Sequence, residues 1–191
     1  MQPRTESAYS DYKKINMINK LTKEQIDSNK KEILTLLGNV KRKGMEEVMS
    51  FLENSTFFVA PNHRDNKKHH AWPGGIAQHS LGVYKLMKDA RGLGHDSIVI
   101  TSLLHDICKA NQYELGKDGD WHHSHAIIQG HGKHGTLSVY ILTSLCHLPL
   151  TSEERVAIKY HMHPNNPETN IDSKLYHALR NCDQQNAKQN N

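Results

Sequence analysis

The stretch Ser97–Asn111, SIVITSLLHDICKAN, decides how this chain is read. Ile98, Val99, Ile100, Leu103, Leu104 and Ile107 form an apolar run that predicts a buried helix, with a buried strand as the alternative. Within it His105 and Asp106 stand side by side. A carboxylate in such a segment is costly unless a partner neutralises it. A metal cation does so, and neutral imidazole with carboxylate is a usual donor set for one. Neighbouring side chains on a helix diverge by about 100°, so this pair meets one ion only from a shared rim. A helix C-terminus, with His and Lys answering its dipole and Asp106 solvated, accounts for the same residues without a metal.

Working outward, the 191 residues are enough for one domain with a real core, although only 36% are hydrophobic. No apolar stretch approaches the length that spans a bilayer, and no secretory pattern opens the chain. The expectation is a soluble, cytoplasmic protein without a membrane partner. Cys108, Cys146 and Cys182 are odd in number and form no C-x-x-C pair, which argues against a disulfide framework and a cysteine zinc site. A net charge of +4 suits an anionic small substrate or a phosphodiester and is weak for a dedicated nucleic-acid binder, so nucleic acid enters only as a substrate. The unusual count is histidine, at 15, which points to a His/carboxylate metal site or to pH-sensitive surfaces.

Periodicity predicts an all-α chain. Residues 1–20 read as a polar N-terminal extension, and 21–191 as a single helical domain whose metal-binding core spans about 70–183. Thr22-Lys-Glu-Gln25 has the form of a capping box, with Gly38 as the stop of its helix. A second helix fits Met45–Leu52. Ser55–Gly75 is a long loop pinned by Phe57, Phe58 and Trp72, whose Arg64, Lys67, Lys68, His69 and His70 form either a basic rim or a solvated surface. Ile76–Arg91 is helical and carries His79 near its apolar face. Gln112–Gly130 reads as a polar excursion or lid; no catalytic role falls to its cluster His122, His123 and His125. His134–Cys146 is helical again, and Thr151-Ser-Glu-Glu154 caps a helix that delivers His161 before Pro164 stops it. His161 and His163 lie about 200° apart on a continuing helix, so His161 is the metal candidate and His163 a substrate candidate. The last helix starts near Asp172 or Ser173 and presents Asp183, with Gln184–Asn191 as a polar tail.

In order, His79, His105–Asp106, His134, His161 and Asp183 lie within the segments GGIAQHSLGVY, SLLHDICKA, KHGTLSVYIL, AIKYHMH and NCDQQNA. This series resembles the HD phosphohydrolase superfamily, in its branch with six ligands and two metals. HHAWPGGIAQHS followed by HDICK is similar to the HD domain of bacterial 3′–5′ exoribonucleases. The likeness runs from about Met45 to Asp183, including STFFVAP. It departs at Cys108, where the family commonly has glycine. His131 and His134 both qualify at the third motif, and His134 keeps the spacing to Ser138-Val-Tyr.

The resemblance implies an HD-domain-like helical bundle with a dimetal site between helices. Asp106 would bridge the ions, with His79, His105 and Asp183 completing one site and His134 and His161 the other. Mixed N/O ligation fits Mn, Fe, Co, Ni or Zn. The implied activity is hydrolysis of a phosphoester in a nucleotide, oligonucleotide or related small phosphorylated substrate by a metal-activated hydroxide. Lys109 would neutralise a phosphate oxygen, and Arg64, His69, His70 and His163 would contact substrate. The alternatives are a di-iron oxygenase of the myo-inositol-oxygenase type and a nucleotide-binding regulatory module with weak turnover.

Overall fold

The computed structural model describes residues 21–65, 67–124, 134–162 and 173–190. The N-terminal extension, His131 and His163 lie outside these described residues. Helix α1 (Lys23–Gly38) opens on the expected capping box: Gln25 N donates to Thr22 Oγ1 at 3.3 Å, and Thr22 N donates to Gln25 Oε1 at 2.7 Å. Gly38 is not its left-handed stop, because the helix closes on Asn39 in right-handed conformation. Helix α2 (Met45–Glu53) follows, and then the 55–74 loop, anchored by buried Phe57 and Phe58 in edge contact at 5.3 Å. Trp72 holds the far end of that loop by donating from Nε1 to Gln78 Oε1 at 2.7 Å.

Helix α3 (Gly75–Met87) packs on helix α4 (His95–Leu104) and on the last helix of the chain, α7 (Lys174–Gln189). The expected helix over 97–111 breaks at His105, and a 3-10 turn, Ile107–Lys109, takes over after Asp106 (φ −107°, ψ 20°). A hairpin, β1 (Tyr113–Leu115) and β2 (Trp121–His123), pairs antiparallel with Tyr113 opposite His123. The sequence reading missed these strands because three residues carry too little alternation to show a period of two. Helix α5 (His134–Tyr140) widens into a π-turn, Ile141–Leu145, and packs on α6 (Ser152–Tyr160).

The predicted second capping box is present: Glu154 N donates to Thr151 Oγ1 at 3.2 Å and Thr151 N to Glu154 Oε2 at 2.9 Å. Ser173 caps α7, and that helix runs on to Gln189 where a tail from Gln184 was expected. The reason is packing, since Asn186 turns inward and is only 6% exposed. Apart from the hairpin, the regular secondary structure among the described residues is helical. One core gathers Leu37, Leu52, Phe57, Ile76, Leu104 and Leu142; a second joins Val83 and Met87 to Tyr160, Tyr176 and Leu179. No helix among the described residues is long and apolar enough to cross a membrane.

Candidate metal centre

The break at His105 converts a sequence neighbour pair into a spatial pair. On an unbroken helix the two side chains would diverge. The tighter 3-10 turn redirects the chain, so that His105 Nε2 lies 3.7 Å from Asp106 Oδ2. The same turn sets Lys109 three residues on, where side chains eclipse, and its Nζ meets Asp106 Oδ2 at 2.8 Å.

Three imidazoles converge on this carboxylate from three helices, and each is oriented by a bond from its other nitrogen. His105 Nδ1 donates to the Ser102 carbonyl at 2.9 Å, and His161 Nδ1 donates to the Ile158 carbonyl at 2.8 Å. His79 Nδ1 donates to Asn186 Oδ1 at 2.9 Å. A carbonyl only accepts, so these bonds place the proton on Nδ1 and leave Nε2 as a lone pair. Those lone pairs face one another and two carboxylates. His79 Nε2 and His105 Nε2 are 3.3 Å apart, and Asp183 Oδ1 is 3.1 Å from the first and 3.8 Å from the second. Asp106 presents Oδ2 to His79 at 3.9 Å, while its Oδ1 lies 3.6 Å from His161 Nε2.

His161 Nε2 is buried and has no hydrogen-bond partner among the described residues. A cluster of buried acceptors without protons between them is repulsive unless a cation sits among them. Ligand atoms about 2.1 Å from one ion stand about 3.0–3.6 Å from each other, close to the separations here. Two groups, His79–His105–Asp183 and His105–Asp106–His161, therefore have the chemistry and spacing to hold a metal ion.

Electrostatics keep both carboxylates ionised, while the imidazoles of His105 and His161 shift in opposite directions. Burial acts to raise the Asp106 carboxyl, but Lys109 and the imidazoles of His105 and His161 hold it well below the usual carboxylate range. Asp183, buried but beside His79 and His105, is held at about 2. Burial lowers His105 to about 4. Burial also presses His161 down, yet Asp106 beside it carries the group above its ordinary value.

His134 lines the same cavity but stands apart from the buried cluster, with Nδ1 3.7 Å from Cys108 Sγ. Burial raises that thiol to about 12, so it stays protonated. Gly135 lets α5 seat against the last turn of α6, because a Cβ there would collide with the Lys159 carbonyl oxygen.

The cavity has a volume of about 420 Å³ and is lined by Asp106, Lys109, His134, His161 and Asp183 together with His69. His70 is elsewhere. It is 1% exposed, packed between Trp72 and His79, and forms a further donor group with His69 and His79. Burial brings His69 to about 4 and His70 to about 2, leaving both neutral. Arg64 is exposed and lines separate cavities beside the hairpin. His122 is exposed, pairs with Asp118 at 2.8 Å and lines the same two cavities as Arg64.

Comparison with family models, with curated proteins and with solved structures gives no match.

Three residues of the site escaped sequence reasoning. Asn62 accepts from Lys109 Nζ at 2.7 Å, His63 meets His69 at 3.2 Å, and Asn186 orients His79. For Asn186 a signal was available, since it falls three residues after Asp183 on one helical face. Partners that orient ligating imidazoles carry about 10–100-fold in metal affinity. Asn186→Ala is therefore expected to weaken metal retention by that factor, with the fold preserved, as measured by competition against a chromogenic chelator.

Proposed function

We propose that this protein is a metal-dependent phosphohydrolase of the HD type, acting on a phosphoester of a nucleotide or related small phosphorylated substrate. The observation that carries the reading is the Asp106 carboxylate, one oxygen toward His79 and His105 and the other toward His161, opening on the 420 Å³ cavity. That disposition suits a carboxylate shared by two cations, with His79, His105 and Asp183 on one and His161 and His134 on the other. Bound there, a pair of divalent ions supplies an acidified water and positive charge for phosphoryl oxygens.

The chain's own groups do the rest. Carbonyl and amide acceptors hold the imidazoles in their ligating tautomer. Lys109, spanning Asp106 and Asn62, keeps Asp106 ionised and has one of its three N–H donors left for a phosphate oxygen. Neutral His69 and Asn62 add polar groups to the cavity lining.

Loaded protein is expected to hold up to two first-row metals per chain, none of them bound by cysteine. Elemental analysis that never exceeds one, under saturating Mn²⁺ or Fe²⁺, rejects the shared-carboxylate arrangement. Phosphate release from a nucleotide panel with Mn²⁺ tests the activity directly. Oxygen uptake with Fe²⁺ and no phosphate release would instead support the oxygenase reading.

A further inference from the structure

The cavity carries cations that its own carboxylates leave unpaired. Lys109 is taken by Asp106 at 2.8 Å. Arg180 also lines the cavity, one turn before Asp183 on α7, and it forms no ion pair with any described residue. Its Nη1 donates to the His161 carbonyl at 2.7 Å, which pins the guanidinium beside the end of α6. Among the described residues, four of its five N–H donors have no hydrogen-bond partner. Lys68, from the 55–74 loop, lines the same cavity and is likewise without an ion pair among the described residues. An arginine fork held by one bond is suited to bidentate recognition of a phosphate, and a lysine adds a point charge.

We propose that Arg180 and Lys68 form an anion-recognition subsite, and that the substrate class is a phosphomonoester, such as the terminal phosphate of a mononucleotide. The argument is charge and shape. A monoester dianion matches two unpaired cations, whereas a diester carries a single charge and one fewer terminal oxygen for the fork. The proposal rests on the phosphohydrolase reading and names the substrate class of that same site.

The test begins with inorganic phosphate titrated calorimetrically into the full chain stripped of metal by chelation. Wild type should bind, Arg180→Gln should bind about tenfold or more weakly, and Arg180→Lys should fall between. On metal-loaded protein, Arg180→Gln should raise KM for p-nitrophenyl phosphate about tenfold with kcat little changed, and leave KM for bis-p-nitrophenyl phosphate unaltered. Phosphate affinity equal to wild type in Arg180→Gln overturns the proposal. Loss of bound metal in both variants also overturns it, since Arg180 would then act only as a brace for His161. A higher kcat/KM for the diester than for the monoester overturns the substrate class. Weakened phosphate binding in Arg180→Gln, with no phosphoester turned over by any metal form, would uphold the subsite while rejecting the hydrolase reading.

Discussion

Asp106→Asn is expected to empty both metal positions and to lower phosphoesterase activity by about 10³-fold or more, with the helices still folded. The carboxylate lies within 3.9 Å of three imidazole Nε2 atoms contributed by separate segments, with Oδ2 toward His79 and His105 and Oδ1 toward His161. Removing its charge takes a ligand from each and leaves the imidazoles with less negative charge to hold a cation. The asparagine isostere is the informative variant because its carbonyl oxygen still accepts from Lys109, which is only 7% exposed. Asp106→Ala would also remove that acceptor from the buried ammonium, leaving it Asn62 alone, and would confuse metal loss with unfolding. The proposed peripheral ligands should behave differently. His161→Ala or His134→Ala should strip chiefly one ion and leave partial turnover, while His122→Ala should be nearly silent. Metal content by elemental analysis, circular dichroism and phosphoesterase rate, measured together, check the series. Retention of both ions by Asp106→Asn would mean the centre is misread.

Arg42→Ala is expected to destabilise the fold by about 3 kcal/mol without touching the metal centre. Glu154 is fully buried, and its Oε2 accepts from Arg42 Nη1 at 2.6 Å while its Oε1 accepts from Ser97 Oγ at 2.7 Å. Arg42 joins the α1–α2 connection to the start of α6, reaching also the Pro149 carbonyl at 3.3 Å. Without the guanidinium, a buried carboxylate keeps only neutral donors. For a chain of this size the loss corresponds to a fall in Tm of about 6–12 °C, readable by calorimetry.

The pH dependence has a definite sign. Burial acts to raise Glu154, but Arg42, Ser97 and the Thr151 amide hold it below its ordinary value in the folded state. Its contribution is therefore fully present above the unfolded-state value of about 4.3 and is lost as pH falls through the lower folded value. The stability gap between wild type and Glu154→Gln should be widest at neutral pH and should narrow in acid. A gap that is constant from pH 7 to pH 3 would show that the charge of Glu154 contributes nothing.

Local chemistry made much of this architecture legible in the sequence. Thr22–Gln25 and Thr151–Glu154 announce two helix starts because a capping box satisfies backbone donors within four residues, whatever surrounds it. The apolar run before His105 announces a buried segment for a similar reason: its period and composition need no partner to be read. The types and order of the residues at the centre were equally visible. Their geometry was not. His105 and Asp106 meet because the helix ends at His105 and a 3-10 turn follows Asp106, in a stretch that holds neither Pro nor Gly to mark the break. Asn186 belongs to the site because α7 runs past Asp183 against α3, where its amide meets His79 across 107 positions of sequence. Arg42 and Glu154 find each other across 112. His70, adjacent to His69 in the chain, ends up behind His79 instead of on the cavity wall. Caps, periods and residue chemistry are properties of a few neighbouring residues, so the sequence by itself determined them. Which nitrogen or oxygen faces which partner depends on contacts between distant helices, and only the tertiary structure decided that.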